Sequence, residues 1–495
     1  MTVHEVLSGV RLKSPLPADL ARAAVQGLDY DSRRVGRNFL FFAFQGQKAD
    51  GRAFAQQAVE NGALAVLSEL PQPEGFEGFW IEVERGRQAL ALAARNFYDR
   101  PDERLVLTGI TGTNGKTTTA YLVDSVLRAA GQTTALVGTI QYQLAGQSWT
   151  AVNTTPESLD LFRIFRELEQ QGGRHATLEV SSHALALERV YAMRFHTAVF
   201  TNLTRDHLDF HLTMEGYFAA KCRLFEGAGA APPRFAAINH DDPYGCKIPL
   251  HPDTQTFWYG LENGAAVRAV NISGGFEGLR FEVHCGQDHF PVASPLPGRM
   301  NVYNILAACS AALSCGIPPE IIARGIAECR AVPGRFEKVE QGQPFLVVVD
   351  YAHTDDALRN LISVARKLNP KRLITLFGCG GDRDRAKRPM MGEAAAEASD
   401  FVVLTSDNPR SEDPLAIMND ALVGLRRHDL PHVVEPDREK AIRRAIEEAQ
   451  PGDIVLLAGK GHETCQVLKD RAVPFDDREV ARRILRGFGY TQANP

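Results

Sequence analysis

Short runs of apolar residues alternate with longer amphipathic stretches through most of this chain. In the middle of the sequence, the runs occupy residues 105–110, 134–138, 176–180, 197–201 and 235–239. Short apolar runs of this length favour buried strands, and helical patterns between several of them are typical of a parallel sheet covered by helices. The pattern therefore predicts a central α/β domain with a mostly parallel sheet.

A second series of the same kind follows a Pro-Gly turn near residues 331–336. Its apolar runs are Phe345–Val349, Arg372–Phe377, Phe401–Thr405 and Ile454–Ala458. Strands that alternate with helices in this way are typical of a doubly wound sheet. We therefore predict a second, Rossmann-like α/β domain at the C-terminal end.

The N-terminal segment has a different texture. It contains the apolar run Phe39–Phe44 and a stretch with helical spacing from Ala53 to Ala65, and Pro101-Asp102 forms a plausible seam after it. A chain of 495 residues is too long for one core, because single cores stop growing near about 250–300 residues. We predict three domains, at residues 1–98, 99–330 and 331–495.

Composition narrows the class of protein. The chain is 44% hydrophobic and 23% charged, and its formal net charge is −5. This mild acidity gives no sign of a nucleic-acid partner, which would need a basic surface. No apolar run approaches the roughly 18 residues of a membrane helix, and the eight cysteines form no CxxC pair. We expect a cytoplasmic monomer with free thiols and no membrane insertion.

A glycine-rich turn follows the first apolar run of the middle segment. Residues 111–118 read Thr-Gly-Thr-Asn-Gly-Lys-Thr-Thr, and an amphipathic helix with Leu122 and Val126 on one face comes next. Backbone N–H groups of such a turn close around phosphate oxygens, and the helix dipole adds to the attraction. In this geometry Lys116 would reach the β- and γ-phosphates, and the Thr117 hydroxyl would bind Mg²⁺.

The turn departs from the strict phosphate-loop spacing, because residue 110 is isoleucine. A chance glycine turn would not combine a strand, a Lys-Thr pair and a helix, so we interpret it as an ATP site. The residues assigned to it are Gly112, Thr113, Asn114, Gly115, Lys116, Thr117 and Thr118.

Acidic and imidazole side chains follow two later strands. Glu179 comes at the end of its run, where the carboxyl edge of a parallel sheet opens, and this position suits a magnesium ligand. His207 and His211 are spaced like a zinc pair, within a stretch that also holds two aspartates. No third conventional zinc ligand is obvious nearby, and an oxygen-rich setting suits Mg²⁺ better.

These stretches resemble the Mur ligases, and the glycine-rich turn also resembles that of their relatives, the folylpolyglutamate synthases. The matching segments are Thr111–Thr117, Glu179–His183, Asn202–His211 and Gly298–Asn304. The resemblance implies that His207 contacts a second magnesium ion and that Lys221 is carbamylated by CO₂ to become an anionic metal ligand. It also implies ATP contacts from Asn301, Arg335 and Asp350. The catalytic and metal set is then Lys116, Thr117, Glu179, His207 and Lys221.

The resemblance extends to substrate-binding loops. Asp31–Arg33 and Gly46–Arg52 resemble the uridine-diphosphate pocket of the ligases that act on UDP-N-acetylmuramoyl-L-alanyl-D-glutamate, although by themselves they are ordinary polar turns. The loop Asn153–Glu157 resembles the part that holds the peptide end of this acceptor. The implied acceptor set is Leu28, Ser32, Gln47, Lys48, Ala49, Asn153, Thr154, Thr155, Ser181 and Arg189.

Asp407-Asn-Pro-Arg410 is the stretch most informative about the second substrate. An Asn-Pro turn would need no function, but in the Mur ligases this tetrapeptide marks members that add meso-diaminopimelate rather than lysine. Diaminopimelate has a distal carboxylate, which an arginine fork pairs with bidentately. The implied amino-acid set is Arg383, Asp407, Asn408, Pro409, Arg410, Gly459 and Glu463.

The sequence thus predicts an ATP-dependent ligase that makes an amide through an acyl-phosphate, with closure of the C-terminal domain over the reacting groups. The same ligase with L-lysine, and a folate or cyanophycin ligase, are close alternatives. A phosphate-loop NTPase switch that makes no amide bond is an alternative from another class, and it would leave Asp407–Arg410 without a role.

Overall fold

The computed structural model describes residues 1–46, 50–275 and 277–491. Within this part, the strands form sheets of four, eleven, six and two strands. The predicted fold class is confirmed: the middle sheet is mostly parallel, and a Rossmann-like α/β unit follows it. No helix in the described ranges is long and apolar enough to cross a bilayer.

The first segment is a small α/β unit whose four strands pair in parallel in the order β1-β2-β3-β4. Its elements are α1 (Val3–Val6), α2 (Ala18–Arg22), β1 (Gly27–Asp29), β2 (Phe39–Phe42), α3 (Ala55–Glu60), β3 (Ala63–Ser68), β4 (Trp80–Glu82) and α4 (Gly86–Phe97).

The helix predicted from Ala53 to Ala65 is wrong at both ends. Residues 51–54 form a 3₁₀ turn, α3 ends at Glu60, and residues 63–65 already belong to β3. Gly62 has a φ of 104°, a left-handed conformation that lets the chain leave the helix. The residues after Gly62 form a strand rather than a further turn of helix, because they pair with β2.

The middle segment holds the eleven-stranded sheet, in the order β15-β14-β13-β12-β11-β10-β5-β9-β6-β7-β8. Its elements are β5 (Val106–Thr111), α5 (Lys116–Ala129), β6 (Thr134–Val137), β7 (Gln141–Leu144), β8 (Gln147–Thr150), α6 (Ser158–Gln170), β9 (His175–Glu179), α7 (Ser182–Ala186), β10 (Thr197–Phe200), α8 (Leu208–His211), α9 (Met214–Phe225), β11 (Phe235–Asn239), β12 (Gln255–Gly260), β13 (Val267–Gly275), β14 (Gly278–Cys285), β15 (Asp288–Ser294), α10 (Arg299–Ser314) and α11 (Pro319–Glu328).

The five apolar runs predicted for this segment are confirmed as β5, β6, β9, β10 and β11. They occupy the parallel centre of the sheet, where both faces are covered by helices and the strands are buried. Antiparallel strands extend both edges, β7 and β8 on one side and β14 and β15 on the other.

The last segment is a six-stranded sheet, in the order β16-β17-β21-β18-β19-β20, with β16 antiparallel to β17. Its elements are β16 (Glu337–Val339), β17 (Leu346–Asp350), α12 (Asp355–Arg366), β18 (Leu373–Cys379), α13 (Lys387–Ala398), β19 (Phe401–Ser406), α14 (Pro414–Leu425), β20 (His432–Glu435), α15 (Arg438–Glu448), β21 (Ile454–Ala458), β22 (Cys465–Val467), β23 (Ala472–Pro474) and α16 (Asp477–Gly487). Separate apolar clusters cover the two faces of this sheet.

Candidate active site

The site lies where the carboxyl ends of neighbouring parallel strands meet. In the middle sheet, β10, β5, β9 and β6 are neighbours, so the loops that follow them open at one edge. A cavity of about 520 Å³ lies there, between the glycine-rich turn after β5 and residues of the last segment. The predicted ATP residues Gly115–Thr118, Asn301, Arg335 and Asp350 all line it.

The glycine-rich turn packs closely against the loop after β10. Gly112 has a φ of 147°, and a Cβ atom there would lie 1.9 Å from the Thr201 hydroxyl oxygen. The Asn114 backbone N–H donates to the Asn202 side-chain oxygen at 2.9 Å. Only glycine allows this approach at residue 112.

Lys116 is the first residue of α5, and its side chain folds back over the turn. Its Nζ donates to the carbonyl oxygens of Gly112 at 3.0 Å and Thr113 at 2.8 Å. Burial lowers the pKa of Lys116. The ammonium group therefore lies at the mouth of the turn, where phosphate oxygens would be stronger partners than backbone carbonyls.

Glu179 and Thr117 form the oxygen-rich part of the site. Glu179 is 1% exposed, and its Oε2 accepts hydrogen bonds from the hydroxyls of Thr117 at 2.9 Å and Thr139 at 3.0 Å. Its Oε1 accepts the Thr139 backbone N–H at 2.8 Å. A buried carboxylate beside a threonine hydroxyl at a phosphate loop is the donor set that Mg²⁺ prefers, so these residues fit the ion.

Lys221 is the second lysine at the glycine-rich turn. Its side chain is 1% exposed, and its Nζ donates to the Gly112 carbonyl oxygen at 2.8 Å and lies 4.4 Å from the centre of the Tyr217 ring. No carboxylate pairs with it among the described residues. Burial, and then the charge of Lys116, hold the pKa of Lys221 well below its usual range.

The two histidines of the loop after β10 have different surroundings. His207 has a left-handed backbone, and its Nε2 atom lies 3.4 Å from the Asp206 Oδ2 atom. Burial lowers the pKa of His207. His211 instead bonds the Ser182 hydroxyl at 2.9 Å. The Nε2 atom of His211 is therefore engaged by a hydroxyl group of the protein.

Residues of the last segment reach across to the glycine-rich turn. Arg335 donates to the Thr117 hydroxyl at 3.1 Å. Asp356, near the start of α12, accepts hydrogen bonds from the Asn114 side-chain amide at 2.9 Å and the Thr204 hydroxyl at 3.2 Å. Asp350 accepts backbone N–H groups at its own strand end, and burial raises its pKa. The last segment thus closes one wall of the cavity.

Asn301 and Asn304 lie on one side of α10, next to the cavity. The Asn304 amide donates to the Asn301 side-chain oxygen at 2.9 Å, and the Asn301 amide donates to the Pro297 carbonyl at 2.7 Å. Both side chains are buried. Their amides are therefore held in one orientation by the protein.

The predicted acceptor residues of the middle segment lie beside Glu179. The Thr155 hydroxyl donates to the Glu179 carbonyl oxygen at 2.8 Å, and it also accepts the Ser181 backbone N–H at 3.1 Å. The hydroxyl oxygens of Thr154 and Thr139 are 3.1 Å apart. Arg189 donates to the Thr155 carbonyl oxygen at 3.0 Å. Asn153 is exposed at the start of the loop.

The predicted uridine-diphosphate residues lie in the first segment. Leu28 is buried in β1, and the Ser32 hydroxyl donates to the Gln57 side-chain oxygen at 2.7 Å. Gln47, Lys48 and Ala49 lie outside the described residues.

The predicted amino-acid residues meet at the carboxyl edge of the last sheet. Asp407 directly follows β19 and Gly459 directly follows β21, and a Cβ atom on Gly459 would lie 2.5 Å from the Asp407 carboxylate. The Asn408 amide donates to the Glu463 carboxylate at 2.8 Å. These two loops therefore form one polar surface.

Arg410 lies beside this surface with its guanidinium group half-buried. Its Nη1 donates to the Gly381 carbonyl oxygen at 2.8 Å, and burial, and then the neighbouring charge of Arg383, lower its pKa. Arg383 is exposed. Neither arginine forms an ion pair with a carboxylate in the described part of the chain, so together they suit an anionic ligand.

His462 lies between the two sites and gives a prediction on pH. Its ring packs on Tyr351, with 4.9 Å between centroids, and burial lowers its pKa to about 3. In the unfolded chain the His462 ring takes up a proton near pH 6.5. In the folded chain it takes up this proton only near pH 3. This group therefore reduces stability progressively as the pH falls from about 6.5.

We expect the His462→Gln variant to lose less unfolding free energy than the wild type between pH 7 and pH 5, as measured by urea unfolding. The His251→Gln variant, at an exposed position, is the matched control and should keep the wild-type pH dependence. An unchanged pH dependence in the His462 variant would contradict the assignment.

Three residues at these sites were not singled out from the sequence. Thr139 binds both Glu179 oxygens, and its place directly after an apolar run could have revealed it. Asp356 and Lys460 carry no sequence signal of their own. Their contacts join segments that are distant along the chain, such as the 242 residues between Asn114 and Asp356.

This chain is similar to known protein families in three parts of its sequence. It matches three domain families, described as the Mur ligase family catalytic domain over residues 24–98, the Mur ligase middle domain over 110–312, and the Mur ligase glutamate ligase domain over 334–461. Together these matches cover most of the sequence.

Two relatives are named UDP-N-acetylmuramoyl-L-alanyl-D-glutamate–2,6-diaminopimelate ligase. The protein from Solibacter usitatus is 67% identical over 492 residues, which cover 99% of this chain and 100% of the relative. The protein from Syntrophomonas wolfei is 45% identical and covers 94% of this chain and 95% of its own length.

Two solved structures have similar folds. A structure of a UDP-N-acetylmuramoyl-L-alanyl-D-glutamate–2,6-diaminopimelate ligase is 33% identical with a TM-score of 0.69, and the match covers 99% of this chain and 100% of that one. A MurF ligase from Thermotoga maritima in complex with ADP is 18% identical with a TM-score of 0.64, and the match covers 94% of this chain and 96% of that one. This match shows similarity of fold alone.

Proposed function

This chain belongs to the Mur ligase family, and from that premise we propose the reaction that it catalyses. It is an ATP-dependent ligase that adds meso-2,6-diaminopimelate to UDP-N-acetylmuramoyl-L-alanyl-D-glutamate through an acyl-phosphate. This step builds the peptide of the peptidoglycan precursor.

One observation carries the proposal: the last segment contacts the glycine-rich turn of the middle segment directly, and the same segment carries the polar surface assigned to the amino acid. Arg335 reaches the Thr117 hydroxyl from the last segment. The same segment presents Arg410 and Glu463 at the edge of its own sheet. An amide ligase needs this arrangement, because the activated acid and the amine must meet away from water. A nucleotide switch does not need the second surface.

In this proposal, residues 112–118 hold the phosphates of ATP, and Asn301, Arg335 and Asp350 line the rest of the nucleotide cavity. Thr117, Glu179, His207 and a carbamylated Lys221 hold magnesium. Bound there, magnesium would neutralise negative charge on the transferred phosphoryl group. Lys116 places a further positive charge at the same turn.

Carbamylation of Lys221 is supported by the surroundings of the amine. Burial and the nearby Lys116 favour the neutral form of its Nζ. The neutral nitrogen adds to the carbon of CO₂ and releases one proton, which leaves a carbamate with two oxygens in place of an ammonium group. The carbamate then offers the anionic oxygen that Mg²⁺ prefers.

The acceptor spans the first two segments. Leu28, Ser32, Gln47, Lys48 and Ala49 bind the uridine diphosphate. Asn153, Thr154, Thr155, Ser181 and Arg189 bind the peptide end. Thr155 and Ser181 lie against Glu179, so a carboxylate bound by this loop would come close to the phosphates.

The amino acid binds at the last sheet, through Arg383, Asp407–Arg410, Gly459 and Glu463. The γ-phosphate of ATP passes to the D-glutamyl side-chain carboxylate, the amine of diaminopimelate attacks the acyl-phosphate, and the tetrahedral intermediate expels phosphate.

All eight cysteines are free thiols, which supports a reducing cytoplasm as the location.

The test is a ligation assay with ATP, Mg²⁺, bicarbonate and the UDP-muramoyl dipeptide. We expect ADP and phosphate only when an amino acid is added, together with a product whose mass includes one new diaminopimelyl residue. L-lysine in the same assay should react far more slowly. Phosphate release without any new peptide bond would favour a nucleotide switch and overturn the proposal.

A further inference from the structure

Lys460 is a fully buried lysine in the loop between β21 and β22. Its side chain is 0% exposed, and it lies between Gly459 and Glu463, which are assigned to the amino acid. A buried ammonium group destabilises the fold unless every donor has a partner. The partners of Lys460 therefore show what the residue holds in place.

All three donors of Lys460 are used. Its Nζ donates to the Glu463 Oε2 at 2.8 Å, the Asn408 Oδ1 at 3.2 Å and the Cys465 carbonyl oxygen at 2.6 Å. An ammonium group has three N–H bonds and no acceptor. The side chain thus connects the loop after β19 to the loop after β21.

These bonds set the orientation of the Asn408 amide. Its Oδ1 accepts from Lys460 and from the Val467 backbone N–H at 2.9 Å, so its Nδ2 faces Glu463. This Nδ2 donates to the Glu463 Oε2 at 2.8 Å. The asparagine is oriented by the lysine and by strand β22.

Both bonds to the Glu463 carboxylate fall on one oxygen. Lys460 and Asn408 each donate to Oε2, and no donor reaches Oε1 within the parts of the chain that the structure describes. The glutamate is partly exposed, at 27% of its side chain. One oxygen is therefore held by the protein and the other is left for a ligand.

We propose that Lys460 is a positioning residue for the amino-acid substrate. By holding Oε2 of Glu463 and the oxygen of Asn408, it turns Oε1 of Glu463 towards an ammonium group of the bound diamino acid. The inference rests on the proposed function, because it assumes that an amino acid binds at this surface.

The first experiment compares the KM values of the three substrates in the Lys460→Met variant, which keeps the length of the side chain and removes its donors. We expect the KM for meso-diaminopimelate to rise at least about tenfold, while the KM values for ATP and the UDP-muramoyl dipeptide stay within about twofold. Lys440→Met, at an exposed lysine of the same segment, is the matched control and should leave all three unchanged.

A double-mutant cycle separates positioning from a purely structural role. If Lys460 acts through Glu463, the combined Lys460→Met and Glu463→Gln variant should have nearly the same KM for diaminopimelate as Glu463→Gln alone. Additive effects, an unchanged KM for diaminopimelate in a folded Lys460→Met protein, or an equal rise for all three substrates would each overturn the inference.

A second measurement needs no variant that might fail to fold. In a crystal structure of the wild-type protein with meso-diaminopimelate, we expect a substrate ammonium about 3 Å from Glu463 Oε1, with Lys460 still on Oε2. An ammonium that displaces Lys460 from Oε2 would contradict the inference. Failure of the wild type to ligate diaminopimelate would instead refute the proposed function, so the two failures are distinguishable.

Discussion

Replacing Arg410 by alanine is expected to lower kcat/KM for meso-diaminopimelate by about 30- to 4,000-fold. The range corresponds to the roughly 2–5 kcal/mol lost when one partner of a buried charge pair is truncated. The Arg410 guanidinium is half-buried, and Nη1 bonds the Gly381 carbonyl at 2.8 Å. Its remaining donors suit the distal carboxylate of the substrate, which lysine lacks.

The measurement is amino-acid-dependent phosphate release with diaminopimelate and with L-lysine. Because lysine has no distal carboxylate, its already slow reaction should change little. The ratio of the rate with diaminopimelate to the rate with lysine should therefore fall in the variant. Arg426→Ala, at an exposed arginine of the same segment, is the matched control and should keep wild-type kinetics. Undiminished use of diaminopimelate by the Arg410 variant would refute its role in specificity.

Replacing Lys116 by methionine should reduce kcat for ADP formation roughly 10²- to 10³-fold, as for loss of one preorganised charge at a reacting centre. Among the described residues, Lys116 donates only to carbonyl oxygens of its own turn, and burial already lowers its pKa. The folded protein should therefore not be destabilised by the change.

Single-turnover ADP formation and the thermal unfolding midpoint would be measured together. Lys247→Met, at an exposed lysine of the middle segment, should match the wild type in both. A Lys116 variant that retains more than about a tenth of the wild-type rate would refute the assignment of this lysine to the phosphates. A lost rate with a greatly lowered midpoint would indicate unfolding instead.

The central strands were predictable because they are buried on both faces. Their side chains are mostly apolar, and a short apolar run is visible without knowledge of the partner strands. The edge strands β7, β8 and β13–β15 were not predicted. Their exposed faces carry polar residues, as in Gln147–Thr150, which is exposed along its whole length, so burial leaves a weaker pattern.

The boundaries of the three domains remain predictions. Among the candidate site residues, the turn at 112–118 was predictable because Gly115, Lys116 and Thr117 are consecutive and the turn follows a strand. The carboxyl-edge position of Glu179 was also predictable, because this residue ends an apolar run. The structure places its Oε2 atom 2.9 Å from the Thr117 hydroxyl oxygen. Thr139 was missed because its role depends on β6 lying beside β9.

The sequence by itself determined which central strands are buried and where the chain turns, and it indicated which short motifs are candidates for binding phosphate, metal and carboxylate groups. These features depend on neighbouring residues, so they can be read along the chain. The tertiary structure decided which motifs meet. Arg335 reaches Thr117 across 218 residues, and Lys460 reaches Asn408 across 52. Such contacts depend on strand order and on the packing of one segment of the chain against another, and no local pattern encodes them.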